Sequence, residues 1–589
     1  MTQGNGDQRG DDAGSQAKQF RTHANRYVLE ASKRVPHAGD GNRWYDRLFK
    51  IIESLWMSRF VRRLPARFRE SLTVLYDRLL QLNDLERERA WSLDDPSHNL
   101  RVSNGEQVTI PSIWVAEVFP PSEAGALDEQ IERNGWDKKR AEYGLGESNQ
   151  EILRRSRSEA GWSWWRLGAI VNTSSNWVSL DGPKQKLPTQ FETIELMARQ
   201  VGHGLTVVIA HFRLSVEGRQ QVNNVWHAKH EPRMVRGRGR PRAEGRLWVG
   251  FRDTQTSRRE LHDLAREWMC SACAGAFVRG GVQQPLMDLL LLEQHDPSLG
   301  DQVRPPLRDA LRALGVDGFG AYLTTAGQLP GLVFEHVDTQ LCPILKGEHT
   351  WTLWGRTERI TAAVGDVGVY GGELYGAISH VVDKGIQRFF AGLAISDFLS
   401  LKQRQNALLR DTARAQHGKF GRRELRKLRD DFLTGSLDIN TIPRDIKIFT
   451  SRRPRYTNDA IFKRQIAPWA TVPSEEKALG VIADLKERLS GKGGRHRDRA
   501  EIEVNMNDEL DIQLVESSEA LVAFDSDYRD ILSTVATLGA SIDAFKVQRY
   551  VLWVTVVSVV VALMAVVIAV VGVDKTDHII TAVRHWMHI

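Results

Sequence analysis

Two pairs of potential metal ligands lie in the middle of the chain. His227 and His230 form an H-x2-H pair, and Cys270 and Cys273 form a C-x2-C pair. Two imidazoles and two thiolates make up a tetrahedral set of the kind that structural zinc prefers. The alternative is that the cysteines belong to the apolar side of a helix, where cysteine behaves as a small hydrophobic residue. The sequence predicts no cofactor, and these four residues are retained as a hypothetical zinc site.

An arginine-rich stretch lies between the two pairs. Its sequence, Arg-Gly-Arg-Gly-Arg-Pro-Arg, places the basic residues at Arg236, Arg238, Arg240 and Arg242. It resembles the AT-hook, whose extended arginines enter the narrow minor groove of A·T-rich DNA. The same charges would suit anionic lipid headgroups. The simpler alternative is a solvated linker, because charged glycine and proline tracts commonly connect structural elements.

Other residues could transfer protons or bind phosphate, but no complete catalytic motif accompanies them. The pairs His336/Asp338 and His380/Asp383 combine a base with a carboxylate, and Gly365–Gly376 is a glycine-rich turn between a predicted strand and a helix. The turn lacks the Gly-Lys-Ser/Thr ending of a P-loop, and neither Gly-x-Ser-x-Gly nor His-Glu-x-x-His occurs in the chain. We interpret these glycines as a turn that needs positive φ. A binding protein is therefore expected more than an enzyme.

Val551–Val573 is an uninterrupted apolar run without charge. About 20 such residues cross the hydrocarbon core of a bilayer as a helix, since every backbone group is then hydrogen-bonded internally. The sequence therefore predicts one transmembrane helix, with the bilayer as its partner. Small residues recur on one side of it and would allow close helix packing in lipid: Ser558, Ala562, Ala565 and Ala569. The N-terminus carries no apolar signal segment, which predicts a cell-membrane protein with a cytoplasmic N-terminal region.

A heptad pattern precedes the span. Apolar residues occupy both seam positions, which predicts a helical stalk over 506–550. The residues assigned to a parallel homo-oligomer are Leu521, Phe524, Tyr528, Ile531, Val535, Leu538, Ile542 and Phe545. The alternative is a helix packed on this chain's own helices, since periods of 3.5 and 3.6 do not separate over this length. The layout resembles that of CorA-type metal-ion transporters, but the chain has one span and no Gly-Met-Asn signature, so no pore residue carries over.

Composition and pattern indicate an α+β multidomain protein. The 589 residues are 41% hydrophobic and 26% charged, as in globular proteins, and the net charge of +6 is small. Interleaved strands and helices predict a cytoplasmic two-layer α/β sandwich and a β-rich unit, followed by the stalk and the span. Strands are expected at Ile113–Val118, Trp162–Val171, Leu205–Phe212 and Arg246–Phe251.

The expected divisions follow from these patterns. They are a disordered N-terminus at 1–40, a helical hairpin at 41–100, an α/β domain at 105–280 with a basic loop at 233–246, a helical connector and β-rich unit at 281–372, a helical region with basic linkers at 373–505, the stalk at 506–550, the span at 551–573 and a short amphipathic tail at 574–589. The three cysteines, of which Cys342 is the third, are too few for a disulfide framework and indicate a reducing compartment.

These features predict a single-pass membrane protein with a cytoplasmic binding, sensing or scaffold role. It would be a homo-oligomer through its stalk, with a protein or small molecule as its ligand. Two other classes stay open. One is an oligomeric channel or transport component. The other is a nucleotide-handling enzyme or a nucleic-acid-binding protein that uses the arginine-rich stretch.

Overall fold

The computed structural model describes most of the chain from residue 33 to residue 586. The residues outside the described part are 1–32, 60, 64, 92, 96–97, 138–146, 160–163, 174–183, 237–240, 300–305, 317–321, 325–328, 338–343, 345–348, 366–372, 416–437, 452–459, 467–501, 572–575 and 587–589. Residues 1–32 of the predicted disordered N-terminus and most of the predicted basic linkers fall in these ranges. Residues 33–40, also expected to be disordered, are described, and the amide of Gly39 donates a hydrogen bond to Asp46 at 2.8 Å.

Helices and strands alternate along most of the described chain. The helices are α1 Trp44–Met57, α2 Ala66–Ala90, α3 Ala124–Arg133, α4 Asn149–Ser158, α5 Val216–Trp226, α6 Arg246–Ala272, α7 Ala276–Arg279, α8 Leu307–Leu314, α9 Thr357–Val364, α10 Leu374–Ala415, α11 over 438–451, α12 Met506–Val571 and α13 Thr576–Trp586. The strands are β1 Val108–Phe119, β2 Trp164–Asn172, β3 Lys184–Gln185, β4 Phe191–Val201, β5 Leu205–Leu214, β6 Arg233–Arg236, β7 Pro241–Glu244, β8 Leu286–Leu292, β9 Tyr322–Thr324, β10 Val333–His336, β11 Thr350–Arg356, β12 Phe462–Ile466 and β13 Ile502–Asn505.

One mixed sheet of eleven strands organises the fold, in the order β13-β12-β9-β10-β11-β8-β1-β5-β4-β2-β3. Strands β8 and β11 pair in parallel, as do β2 and β3. The other neighbours pair antiparallel. Strands β6 and β7 form a separate two-stranded ribbon. The mixed α/β class predicted from the sequence is confirmed.

The central strand β1 is covered on both faces, which explains why all of its residues are buried. On one face, Ile113 and Val115 share a hydrophobic core with Leu261 of α6. On the other face, the indole N–H of Trp114 donates a hydrogen bond to Asp383 of α10, at 2.9 Å. The middle of the sheet is therefore the central layer of three, and the two-layer sandwich expected from the sequence was wrong.

Three of the four predicted strands are confirmed, as parts of β1, β2 and β5. The fourth, Arg246–Phe251, was wrong because this segment begins α6. The helical connector expected at the start of 281–372 was wrong over Leu286–Leu292, since this segment forms β8. Every residue of β8 is buried, and a strand buried on both faces has a continuous apolar run that a short buried helix shares.

The β-rich segment predicted at 281–372 does not have a sheet of its own. Its strands β9, β10 and β11 continue the main sheet through the parallel pairing of β11 with β8. Two strands, β12 and β13, also occur within 373–505, which was expected to be helical apart from linkers. Strand β12 pairs with β13 and with β9. The partners of these strands are distant in sequence, so local periodicity does not predict them.

The chain divides into two compact units, Met1–Ser518 and Glu519–Ile589. Within the first unit, α1 packs on α2 through Tyr45, Phe49 and Leu79. The second unit contains most of α12 and the tail helix α13. One helical segment in the described part of the chain, Val547–Val567, is long and apolar enough to cross a membrane, and its residues are exposed in the single chain.

Candidate functional site

A histidine–carboxylate pair connects helix α10 to the start of strand β11. His349 lies immediately before β11, and its Nδ1 is 2.9 Å from Oδ1 of Asp397 on α10. The backbone carbonyl of His349 accepts a hydrogen bond of 2.8 Å from the amide of Leu286, where β8 begins. The backbone of His349 is thus fixed beside β8, and its ring reaches α10.

His349 has an unusual backbone conformation. Among the described residues it is the one non-glycine residue with a positive φ, at +57°. The left-handed region costs an L-residue about 1–2 kcal/mol, and glycine adopts it without that cost. Such strain concentrates at sites where a particular side chain has a function. His349 and Asp397 therefore form the candidate site, which we call the His349–Asp397 pair.

The neighbours of His349 determine which ring nitrogen carries the proton. Nη2 of Arg404 lies 3.4 Å from Nε2 of His349, and a guanidinium can only donate. In this arrangement Nε2 accepts, so the proton lies on Nδ1 and is donated to Asp397. Burial raises the pKa of Asp397, and the hydrogen bond from His349 acts against that effect. The second carboxylate oxygen of Asp397 has no hydrogen-bond partner within the described segments.

The His349–Asp397 pair has the composition of a proton-transfer dyad. Its side chains retain exposed fractions of 11% and 15%, so the pair is not sealed from solvent. His336 on β10 lies near enough to affect the charge on Asp397 and packs edge-on against Trp351, with 5.7 Å between ring centres. The pair can hold a proton or hydrogen-bond a polar ligand.

A second cluster, on β1, β5 and α10, contains a serine, a histidine and an aspartate. His211 Nε2 is 3.0 Å from Ser112 Oγ, and His211 Nδ1 is 3.7 Å from Asp383 Oδ1. Trp114 stacks on the ring of His211, with 4.9 Å between ring centres. The carboxylate of Asp383 accepts hydrogen bonds from Trp114, at 2.9 Å, and from Gln387, at 2.6 Å.

This Ser112–His211–Asp383 cluster is closed to solvent, because all three residues are buried and Ser112 has no exposed surface. Burial lowers the pKa of His211 to about 4 and raises the pKa of Asp383. The imidazole is therefore neutral at physiological pH. A serine nucleophile needs access to substrate as well as a base. The cluster is thus a polar network of the core and not a hydrolytic triad.

A third cluster lies between α6 and the sheet. The guanidinium of Arg258 donates two hydrogen bonds to Asp288 on β8, at 2.7 and 2.6 Å, and one of 2.8 Å to Oγ1 of Thr352 on β11. Nε2 of His262 lies 2.9 Å from the same carboxylate. Burial disfavours the charge of Asp288, but Arg258 and His262 hold the pKa of that carboxyl well below its usual range. These paired charges position α6 on the sheet.

Glu117 is a buried acid on β1. Its carboxylate accepts hydrogen bonds from the amides of Phe277 and Val278, both at 3.2 Å, and from the side-chain amide of Gln284, at 2.9 Å. Burial raises the pKa of Glu117 to about 7, and these hydrogen bonds act against that effect. Its role is to satisfy the backbone donors at the start of α7.

The hypothetical zinc ligands are not brought together. Nε2 of His227 is 2.9 Å from the carbonyl of Glu106, and Nδ1 of His230 is 3.5 Å from Asp253. Cys270 is exposed and Cys273 is buried, both as free thiols. No group of three or more histidine, cysteine, aspartate or glutamate side chains that could hold a metal ion occurs in the part of the chain that the structure describes. Burial raises the pKa of the Cys273 thiol well above its usual value.

The arginine-rich stretch connects the strands of the β6–β7 ribbon, so the basic loop expected at 233–246 was wrong in its conformation. Arg236 pairs with Pro241 across the ribbon, and both Arg236 and Arg242 are exposed. Arg238 and Arg240 lie outside the described residues. Arg236 and Arg242 lie near the end of the ribbon where its two strands are joined.

The described residues include part of the predicted oligomerisation seam. Leu521 is fully buried in the single chain, whereas Phe524 is 54% exposed. The other seam residues belong to α12, but their side chains lie outside the described part: Tyr528, Ile531, Val535, Leu538, Ile542 and Phe545. The small residues of the span are all exposed on α12: Ser558, Ala562, Ala565 and Ala569. Ser558 donates its hydroxyl to the carbonyl of Val554 on the same helix, at 2.8 Å.

The remaining sequence candidates have mixed outcomes. His380 and Asp383 both lie on α10 and both influence the second cluster, and burial lowers the pKa of His380. Asp338, the partner assigned to His336, lies outside the described residues. The positive φ expected in the glycine-rich turn is confirmed at Gly365, at +72°, although Gly365 follows helix α9 and not a strand.

The residues of the candidate site were not found from the sequence. Asp397 lies within the long helix α10, and His349 precedes a strand, 48 positions earlier in the chain. Neither position belongs to a recognisable motif. Comparison with known proteins adds no further candidate, because no protein-family model, no curated protein and no solved structure matches the chain.

Proposed function

We propose that this protein is anchored in a membrane by a single span and that its first compact unit binds a partner or ligand without catalysing a reaction. The observation that carries the proposal is the segment Val547–Val567. Its 21 residues satisfy the length of a transmembrane helix, and none of them is buried within the chain. A helix of this kind that belonged to a soluble core would be buried.

The proposed orientation places the N-terminal region in the cytoplasm. The exposed free thiol of Cys270 supports it, because a free thiol suits a reducing compartment. Protease added to intact cells should then leave the first unit intact. Digestion of the first unit by this protease would show the opposite orientation.

The binding role is supported by how the polar residues of the first unit are used. The Ser112–His211–Asp383 cluster is buried, and the Arg258–Asp288 pair is completely enclosed. The His349–Asp397 pair retains some exposure, and the second carboxylate oxygen of Asp397, itself buried, has no hydrogen-bond partner among the described residues. A polar ligand at this pair is the form of binding that the geometry favours.

We also propose self-association through the stalk, along a shorter seam than the sequence predicts. Leu521 is buried in the single chain, so it is not available to a second copy. The proposed seam therefore begins at Phe524, whose ring is exposed. Parallel association would continue along α12 toward the span, where Ser558 and the small residues beyond it permit close packing.

The test of anchoring is extraction of the full chain from membranes with alkaline carbonate. The wild-type chain should stay with the membrane pellet. A chain with Val557→Arg and Val560→Arg should move to the soluble fraction, because each arginine near the centre of a span costs about 2.5–3.5 kcal/mol. The matched control, Leu408→Arg with Ile512→Arg, adds the same charges at exposed apolar positions outside the span and should stay in the pellet. Release of the wild-type chain by alkali would contradict the proposal.

A further inference from the structure

Helix α1 exposes a row of large apolar side chains. Trp44, Leu48, Ile51 and Leu55 are spaced i, i+4, i+7 and i+11, which places them on one side of the helix. All four are exposed, Trp44 to 73%. The other side of α1 packs on α2 through a small core that contains Tyr45, Phe49 and Ile52. We call the exposed row the outer stripe. It is not needed to hold α1 in place.

The apolar surface continues past the end of α1. Met57 at its last turn and Phe68 in the first turn of α2 are also exposed, Phe68 to 66%. Basic residues surround these side chains. The segment from Trp44 to Glu70 contains seven lysines and arginines and three acidic residues, and one of those acids, Asp46, is buried against Arg43. The exposed basic residues are Arg47, Lys50, Arg59, Arg63, Arg67 and Arg69.

The arginine-rich ribbon packs on helix α2, the partner of α1. Arg246, just after the ribbon, donates a hydrogen bond of 2.7 Å to the carbonyl of Glu88. Three residues earlier, the amide of Ala243 donates one of 2.6 Å to the side chain of Gln81. From Arg246 back to Ala243 the contacts thus move toward the N-terminal end of α2.

We propose that the outer stripe, with the basic residues around it, docks on the surface of a bilayer that contains anionic lipid. An exposed apolar stripe with tryptophan, flanked by lysine and arginine, is the composition of a helix that lies in the membrane interface. Anionic headgroups supply the complementary charge. This inference goes beyond anchoring by the span, because docking uses residues of the first unit and does not require the span to insert.

Two other occupants fit the surface less well. A second copy docked through the same face would bring two basic surfaces together, and like charges oppose such an interface. Nucleic acid would be attracted by the arginines, but it offers no apolar layer for Trp44, Leu48, Ile51 and Leu55. A bilayer accommodates both the charge and the apolar side chains.

The experiment follows the environment of one residue in the outer stripe. The full chain carries Ile51→Cys, labelled with a polarity-sensitive fluorophore, after Cys270→Ser and Cys342→Ser; Cys273 is buried and retained. It is incorporated into nanodiscs of phosphatidylcholine, alone or mixed with phosphatidylserine. We expect a blue shift of emission in the anionic nanodiscs and a smaller shift in phosphatidylcholine alone. The matched control label at Glu129→Cys, an exposed position on α3, should not shift.

Charge reversal separates docking from anchoring. Arg63→Glu with Arg67→Glu should abolish the blue shift at position 51 while the chain still enters nanodiscs. Conversely, the labelled chain with Val557→Arg and Val560→Arg, which has lost its span, should still show the shift with vesicles containing phosphatidylserine. A failure of the wild-type chain to enter nanodiscs would count against anchoring, and the vesicle measurement would still test docking.

Several results would overturn the docking proposal. The first is an unchanged emission at position 51 in anionic nanodiscs and anionic vesicles alike. An equal emission shift in nanodiscs of phosphatidylcholine alone would contradict the requirement for anionic lipid. Disulfide cross-linking of two chains through Cys introduced at position 51 would assign the surface to a second copy, and a shift produced only by duplex DNA would assign it to nucleic acid.

Discussion

Replacing Arg258 with methionine tests whether the buried charges on β8 support α6. Arg258 and Asp288 are both completely buried, and the guanidinium also donates to Thr352 and to the carbonyl of Leu314. The variant leaves Asp288 with His262 as its remaining partner of the third cluster. Removing one partner of a buried ion pair costs about 3–5 kcal/mol, because the other charge stays in the core. We expect the free energy of unfolding of Arg258→Met to fall by this amount.

The neighbouring residue provides a matched control. Arg259 forms a pair with Asp263 one turn along the same helix, and these side chains are 40% and 42% exposed. An exposed i,i+4 pair contributes about 0.3–0.5 kcal/mol. Arg259→Met should therefore lower the free energy of unfolding by less than about 1 kcal/mol. Both variants replace an arginine by methionine at adjacent positions. The difference between their losses in free energy of unfolding therefore measures the effect of burying the ion pair.

The assay is urea unfolding of the full chain in detergent, followed by tryptophan fluorescence. The double variant Arg258→Met with Asp288→Leu removes both charges, and its loss should be smaller than the sum of the two single losses. Equal midpoints for Arg258→Met and Arg259→Met would refute the reasoning. So would a double variant whose loss equals or exceeds that sum.

The remaining predictions concern titration and backbone strain. His211→Gln should remove about 3 kcal/mol of acid-induced destabilisation, since the pKa of His211 falls from 6.5 to about 4 on folding. Glu117→Gln should remove about 3 kcal/mol of destabilisation at rising pH, since the pKa of Glu117 increases from 4.5 to about 7. Both are measured by urea unfolding across this pH range. His349→Gly should be more stable than His349→Ala by about 1 kcal/mol, because both lose the ring but glycine tolerates the positive φ; an alanine variant of equal or greater stability would exclude the strain.

The sequence predicted those elements whose signal is local. The apolar run at the C-terminus required no partner to be recognised, and α12 contains it. The strand within β1 combines β-branched and aromatic residues with a stop at Pro120. The hairpin of α1 and α2 was visible through helical spacing of its apolar residues. In each case the residue pattern that predicts the element lies within a single helix or strand.

The errors occurred where long-range packing decides the conformation. Leu286–Leu292 is a strand because it pairs with β1 and β11, and its single charge, Asp288, is accommodated by Arg258, 30 positions earlier. The start of α6 has the composition of a strand, but its buried residues recur at helical spacing: Arg246, Val249, Gly250 and Thr254. The His349–Asp397 pair likewise exists only after α10 has packed beside β11.

Glu117 and His211 occupy neighbouring strands of the sheet, and their titrations oppose each other. His211 contributes stability that is present above pH 6.5 and is lost as pH falls through about 4. Glu117 contributes stability that is present below pH 4.5 and is lost as pH rises through about 7. Each pKa displacement corresponds to about 3 kcal/mol of free energy of unfolding. Because the two free-energy changes have opposite signs with rising pH, the pH dependences of the two groups nearly cancel between about pH 4 and about pH 7.

This cancellation explains how a sheet can contain a buried acid and a buried base whose charged forms are both disfavoured by burial. Both groups are neutral between the pKa of His211 and that of Glu117, so the folded state needs no compensating ion there. Removing one group should reveal the slope of the other. His211→Gln should become less stable as pH rises, and Glu117→Gln should become less stable as pH falls. The double variant should regain the flat profile, and two single variants that tilt in the same direction would show that the neutral forms are wrongly assigned.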